Sequence, residues 1–365
     1  MKKVFLIAAA VVAFAACSKN EVLPSSSINN EISFNVAPRT KALTSDQSAF
    51  GVDNHFISYA YFLTDDKKWP TNAGSIYING AEVSSHVDAS ATGGRVWKAA
   101  NSYYWPKSEK SSLTFFAWSK NTNECSLAGG ATASCDPQKG IAFTGYDVTS
   151  NKNVDLLVAD VAANKHGNEN LYTYSGVPTL FRHKLSYVIF KVKTQKAYVG
   201  KEFALKSIKF VGLGSKASYD QKANDGTDPV YNTVGEWATP TATADQVYFN
   251  ATTPVVFTDA DFVLETAATA SVDQKYYLPQ ALTAVTPGAG VAGSIEVVYT
   301  IKTTEGTAES TETVTRYISA KSMFADDLKI NKKYTCTLTF SLDEITWDPA
   351  VQDWENVTAA DITIK

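Results

Sequence analysis

The sequence predicts an all-β chain built as β-sandwiches in tandem. Short segments alternate apolar and polar residues with a period of two, and turn-rich stretches separate them. Tyr and Phe occur 18 times each beside 7 Trp, Thr and Val are frequent, and Met occurs only twice, a composition that suits strands. No stretch keeps a helical period beyond a turn or two.

At the N-terminus, Lys2 and Lys3 precede an uncharged apolar run from Val4 to Ala16, and Cys17 follows. This is the layout of a secretory signal, residues 1–16, too short to span a bilayer as a helix. Ala15-Ala16-Cys17 also resembles the lipobox of bacterial lipoproteins, with Phe14 where an aliphatic residue is usual. In that pattern the chain is cut before the Cys, and Cys17 carries acyl chains such as palmitate. Each buried CH₂ then adds about 0.8 kcal/mol to membrane attachment. The competing reading is an ordinary secretory signal with an incidental cysteine; the spacing favours the lipobox. No later stretch is apolar for long enough to cross a membrane.

Export leaves 349 of the 365 residues, a length that suits two domains. A net charge of −4 without a basic stripe argues against a nucleic-acid partner. Cys125 and Cys135 stand in a Gly/Ala/Ser/Thr loop and are a candidate disulfide in an oxidising compartment. Cys336 falls on the apolar side of Tyr334–Phe340 and is expected to be a buried, inert thiol.

Alternating segments run in order along the chain: 32–36, 56–63, 113–118, 155–159, 185–192 and 203–210, then 246–249, 275–278, 294–301, 312–318 and 334–342. Gly212, Gly214, Gly288 and Gly290 are expected in loops, and Trp347 to Trp354 as an irregular link. Ala360-Asp-Ile-Thr-Ile-Lys365 then alternates as a strand, with Ile362 and Ile364 on one side. A boundary near residue 175 divides the exported chain into comparable halves.

Motifs for reactive chemistry are largely absent from the sequence. His55, His86, His166 and His183 are scattered without metal-ligand spacing, and HExxH, GxSxG, phosphate-loop and dinucleotide motifs are absent. Asp65-Asp66 could be an acid/base pair, but neighbouring residues in a strand face opposite ways and a solvated turn is the better reading. Trp97 and Trp105, flanking Tyr103-Tyr104, could form a sugar platform, although large aromatics in sandwiches more often fill cores. The expectation is a protein that is not an enzyme and carries no cofactor or metal.

Two features remain. Arg39, one of four arginines, follows Pro38 just past the first alternating segment. Pro38 keeps this stretch extended and out of a ladder, hence open to a protease. A solvated charge after a strand is the plainer alternative. The second feature is that the two ends match: Ile32, Phe34 and Val36 form an apolar edge with the same period as Ala360, Ile362 and Ile364. Cleavage after Arg39 would remove the first strand and expose an apolar groove with unpaired backbone groups, which an added strand can satisfy. Supplied by the C-terminal strand of another copy, this head-to-tail contact propagates into a filament.

Taken together, the sequence resembles the fimbrillins of Bacteroidota, the subunits of type V pili. The resemblance is carried by Cys17-Ser-Lys-Asn-Glu21, Ile32-Ser-Phe34, Arg39-Thr-Lys-Ala42, Tyr104-Trp-Pro106 and Leu113-Thr-Phe-Phe-Ala-Trp118. Phe181-Arg-His-Lys-Leu-Ser186, Tyr277-Leu-Pro-Gln280, Asn331-Lys-Lys-Tyr334 and the stretch from Ile345 to Trp354 complete it. It implies two transthyretin-like β-sandwich domains, export through the periplasm to the outer membrane as a lipoprotein, trypsin-like cleavage at the cell surface and polymerisation by strand exchange. Carried over, Arg39 becomes the processing site and Thr40 the new N-terminus, and His183 has a structural role. The chain then divides into a signal (1–16), a lipidated propeptide with the first strand (17–39), and two sandwiches (40–175 and 176–365), the second ending in the donor strand. The implied role is a stalk-type subunit serving in adhesion, with anchor and tip subunits, a surface protease and a host or bacterial surface ligand as partners. A surface glycan-binding lipoprotein is the rival reading, and its Trp residues should line an exposed face.

Overall fold

The computed structural model describes residues 31–36, 50–89, 95–167, 176–223, 235–265, 272–286, 288–324 and 327–353. In chain order the N-terminal half gives β1 (Phe34–Asn35), β2 (Phe56–Leu63), β3 (Ser75–Val87), β4 (Arg95–Ala99), β5 (Ser112–Ser119) and β6 (Thr132–Asp136). There follow β7 (Gly140–Asp147), β8 (Leu157–Ala159), β9 (Ala162–Lys165), β10 (Val177–Pro178) and β11 (Phe181–His183). The second half begins with β12 (Ser186–Thr194), β13 (Lys201–Asp220), β14 (Glu236–Trp237), β15 (Ala242–Phe257) and β16 (Phe262–Val263). It continues with β17 (Tyr276–Tyr277), β18 (Ser294–Glu305), β19 (Ala308–Ser319), the short helix α1 (Ala320–Phe324), β20 (Lys332–Phe340) and β21 (Ile345–Asp353). The expected all-β fold is what the chain adopts.

The strands form three sheets. The first runs β10-β1-β4-β3-β2-β5-β8-β11, with β9 also on β5. Its outermost members, β10 and β11, are consecutive in the chain with only Thr179 and Leu180 between them. The sheet must therefore curl until its two edges nearly meet. The second sheet runs β16-β12-β20-β21, and the third β19-β18-β13-β7-β6 with β14 and β15 on β13.

Three apolar cores follow from these layers. Alternation along β2 and β5 sends Phe56, Ala60, Phe115 and Ala117 to the inside of the curl, where Phe34, Phe50, Trp105, Val177 and Phe181 meet them. The opposite face gives Tyr61, Leu63, Phe116 and Trp118 to a second core with Phe143, Tyr146, Ala217 and Tyr219 from β7 and β13. Buried on both faces, β5 is covered at every position. The third core lies between the second and third sheets, with Val188, Phe190 and Leu338 against Leu205, Ile208, Val297 and Tyr299.

Two expectations change. Gly212 and Gly214, expected in a loop, lie inside β13, which continues from Lys201 to Asp220 through a series of register shifts. A Cβ on Gly214 would stand 2.4 Å from Gln280 Oε1 and 2.6 Å from Pro240, so the close approach needs glycine, and the shifts bend the strand from one core into another. The stretch from Trp347 to Trp354, expected as an irregular link, instead gives its residues 347–353 to β21, which runs antiparallel to β20 with Phe340 opposite Ile345 and Cys336 opposite Pro349. Pro349 is tolerated because β21 is an edge strand, where its missing N–H leaves no neighbour without a donor.

Candidate assembly site

The segment 31–36 is short, yet it is built into the wall of the curled sheet. Phe34 pairs with Val177 of β10 on its parallel side and with Trp97 of β4 on its antiparallel side. The backbone is bonded at several points along this stretch: Ile32 N–H donates to Tyr103 O at 2.7 Å, Val177 N–H to Ser33 O at 2.8 Å and Thr179 N–H to Asn35 O at 2.8 Å. Alternation points Ile32 and Phe34 inward, each 3% exposed, and half-buried Val36 packs on the same core. The Phe34 ring stands edge-on to Phe56 at 5.4 Å and to Phe115 at 5.9 Å. Burying side chains of this size contributes about 1.5–3 kcal/mol each, so the seat holds its strand by several kcal/mol.

Gly176 shapes the seat. Its φ is +118°, and a Cβ there would lie 3.1 Å from Ser33 O, so a larger residue would push the first strand away from β10. At the other end Glu31 accepts from Lys98 Nζ at 2.7 Å and from Ser102 Oγ at 2.6 Å. Burial alone would raise the Glu31 pKa; the bonds from Lys98 and Ser102, with the positive charge of Lys98, overcome this and hold it below the usual carboxylate value.

Of the residues expected to matter, Ile32, Phe34 and Val36 are thus together in one groove. Cys17, Arg39, Thr40, Ala360, Ile362 and Ile364 lie outside the described residues. Cys125 and Cys135 are free thiols here, with no bond between them. Burial pushes the Cys125 thiol up to about 12 and raises that of Cys135 as well. Cys336 is fully buried, as expected of an inert thiol. His183 sits buried with Nδ1 2.8 Å from Asp155 Oδ1, and Asn121 donates to the other carboxylate oxygen, an arrangement that ties down the β8–β11 end of the sheet. Asp65 and Asp66 are exposed turn residues with φ of 55° and 61°, not a catalytic pair.

Sequence reasoning missed the partners of the first strand: Val177, Gly176, Trp97, Lys98 and Ser102. They lie 60 or more positions away in the chain, and no local pattern marks them.

A family model described as fimbrillin-like matches residues 40–354. The chain belongs to the fimbrillin-like family. Among solved structures, this fimbrillin-like chain is similar to a fimbrial protein from Bacteroides vulgatus ATCC 8482, with a TM-score of 0.60 and 18% identity over 90% of this chain and 100% of that one. A candidate cell adhesion protein from Bacteroides uniformis ATCC 8492 aligns with a TM-score of 0.42 and 18% identity, over 89% of this chain and 98% of that one. Another from Parabacteroides distasonis ATCC 8503 gives 0.47 and 9% over 91% and 98%. The first of these shows a shared fold. No curated protein sequence matches the chain. The family match starts at residue 40, so the strand seated in the groove lies before the matched part of this fimbrillin-like chain.

Proposed function

We propose that the chain is a structural, non-enzymatic subunit of a type V fimbria, of the stalk type, serving in adhesion at the cell surface. It is exported as a lipoprotein held at the outer membrane through Cys17. Cleavage after Arg39 by a trypsin-like surface protease releases residues 17–39, and Thr40 becomes the N-terminus. The vacated groove then accepts residues 360–364 of another copy, and anchor and tip subunits complete the filament.

The observation that carries this reading is the placement of residues 31–36. They form an inner wall strand, bonded on both sides and packed into the core, in the short stretch of chain before Arg39. Such a strand can leave only if another replaces it, because the groove would otherwise present Phe56, Phe115 and Val177 to water and leave the amides of Val177 and Thr179 without acceptors. The glycan-binding rival finds no support in the tryptophans. Trp69, Trp105, Trp118 and Trp237 are buried, Trp97 and Trp347 are half-buried against cores, and none of these six offers an exposed face.

Limiting trypsin is the direct test. Trimming at Arg39 followed by ladders of high molecular weight is the expected outcome, and replacing Ile362 and Ile364 by Asp should abolish the ladders while the monomer stays folded. A trimmed chain that remains monomeric and binds polysaccharide would sink the proposal.

A further inference from the structure

We infer that Lys98 and Ser102 set the register of the incoming strand, and that Asp361 of a second copy takes the place of Glu31 between them. This rests on the strand-exchange reading above and adds to it the position at which the donor stops.

A groove that reads only alternating apolar residues cannot fix a register. A slip of one residue reverses every side chain, but a slip of two keeps all the apolar residues facing inward. Matching the apolar edges in order, Ala360, Ile362 and Ile364 would occupy the places of Ile32, Phe34 and Val36. Two residues away lies a second alignment, in which Asp361, Ile362, Thr363 and Ile364 fall on Glu31, Ile32, Ser33 and Phe34. There each residue meets its own chemical kind: a carboxylate, an Ile, a small hydroxyl and a large apolar side chain.

The groove distinguishes the two alignments through its polar positions. In the first, Asp361 would fall on Ser33, a position 8% exposed, and Ala359 on Glu31, so the carboxylate between Lys98 and Ser102 would be lost. A carboxylate in a covered position without a partner is strongly unfavourable. In the second, Asp361 stands where Lys98 Nζ and Ser102 Oγ now meet Glu31 at 2.7 and 2.6 Å. A slip the other way would put Lys365 on the covered Ser33 position. The charged pair therefore selects one register among those that the apolar period allows.

Two cysteine pairs separate the alignments. The full chain is prepared as Pro178→Cys with Lys365→Cys, and as Pro178→Cys with Thr363→Cys, so that Lys98, Ser102 and Asp361 stay intact. Pro178 faces position 35, which Lys365 fills in the second alignment and Thr363 in the first. Each is trimmed by limiting trypsin and oxidised with oxidised glutathione, and ladders that survive denaturation without reductant are expected for the Lys365→Cys pair and not for the Thr363→Cys pair. The reverse result overturns the register, and ladders that form without cross-linking in either pair place the donor elsewhere. A wild-type chain that forms no ladders at all removes strand exchange itself, and this inference with it. Charge exchange gives a second readout that does not depend on the cysteine variants. Lys98→Glu and Asp361→Lys should each slow ladder growth at least tenfold, and the two together should restore it. Single variants that grow ladders at the wild-type rate would overturn the proposal.

Discussion

At the scale of single residues, Glu31 shows how a charge can hold a strand end. Its carboxylate lies in a covered position, where desolvation opposes ionisation, yet Lys98 and Ser102 keep its pKa below the unfolded value. A depressed carboxylate pKa contributes stability that is present above the unfolded value, near 4.5, and is lost as pH falls through the folded one. The first strand should therefore loosen as pH falls below that unfolded value and through the lowered folded one, and Glu31→Gln should flatten that dependence. Hydrogen exchange of the Val177 and Thr179 amides, compared between wild type and variant at each pH, measures it. Equal protection in the two chains throughout would show that Glu31 does not hold the strand.

At the scale of elements, the weak point of the curled sheet is where its edges approach. Arg182 of β11 forms a two-pronged ion pair with Asp160, at 2.6 and 2.8 Å, while Asp160 N–H donates to Leu180 O. With both side chains mostly covered, a charge-assisted pair of this kind contributes about 1.5–3 kcal/mol, and Arg182→Ala should lower stability by roughly that amount. Denaturant unfolding followed by Trp fluorescence is the measurement; a loss below about 0.5 kcal/mol would mean the clamp is not needed.

How much of these elements could be read from the sequence varies for physical reasons. Residues 56–63 alternate cleanly and form β2 over the same range, because each of its faces packs on a different core. By contrast, β3 is mostly exposed and carries Asn79-Gly80, a pair that usually marks a turn, here placed in a strand with irregular register and φ of 67° at Gly80. Gly212 and Gly214 hid the far half of β13 in the same way, since glycine marks a bend without saying whether pairing resumes beyond it.

At the scale of the whole molecule, β13 couples the cores. Its first part packs between β15 and β18, and its last residues, Lys216 to Asp220, pair with β7. Leu205 and Ile208 thus belong to one core while Ala217 and Tyr219 belong to another. Unfolding either core frays a strand that the other needs, so the described body should unfold in one transition. Trp fluorescence, dominated by Trp69, Trp105, Trp118 and Trp237 near the first sheet, should then follow the same denaturant curve as far-UV circular dichroism. Two separated transitions would show that the bend uncouples them.

The sequence by itself determined the all-β class, the resemblance to the fimbrillin family and the matching apolar periods of residues 32–36 and 360–364, because strand chemistry and alternation are local properties. Only the tertiary structure decided what surrounds the first strand. Val177, Trp97, Lys98 and Ser102 meet it by way of pairings between distant segments, and such pairings leave no periodic trace in the chain. The glycine at 176 and the charged end made by Lys98 and Ser102 belong to the folded sheet, and under the proposed strand exchange they would give a repeated apolar pattern one register.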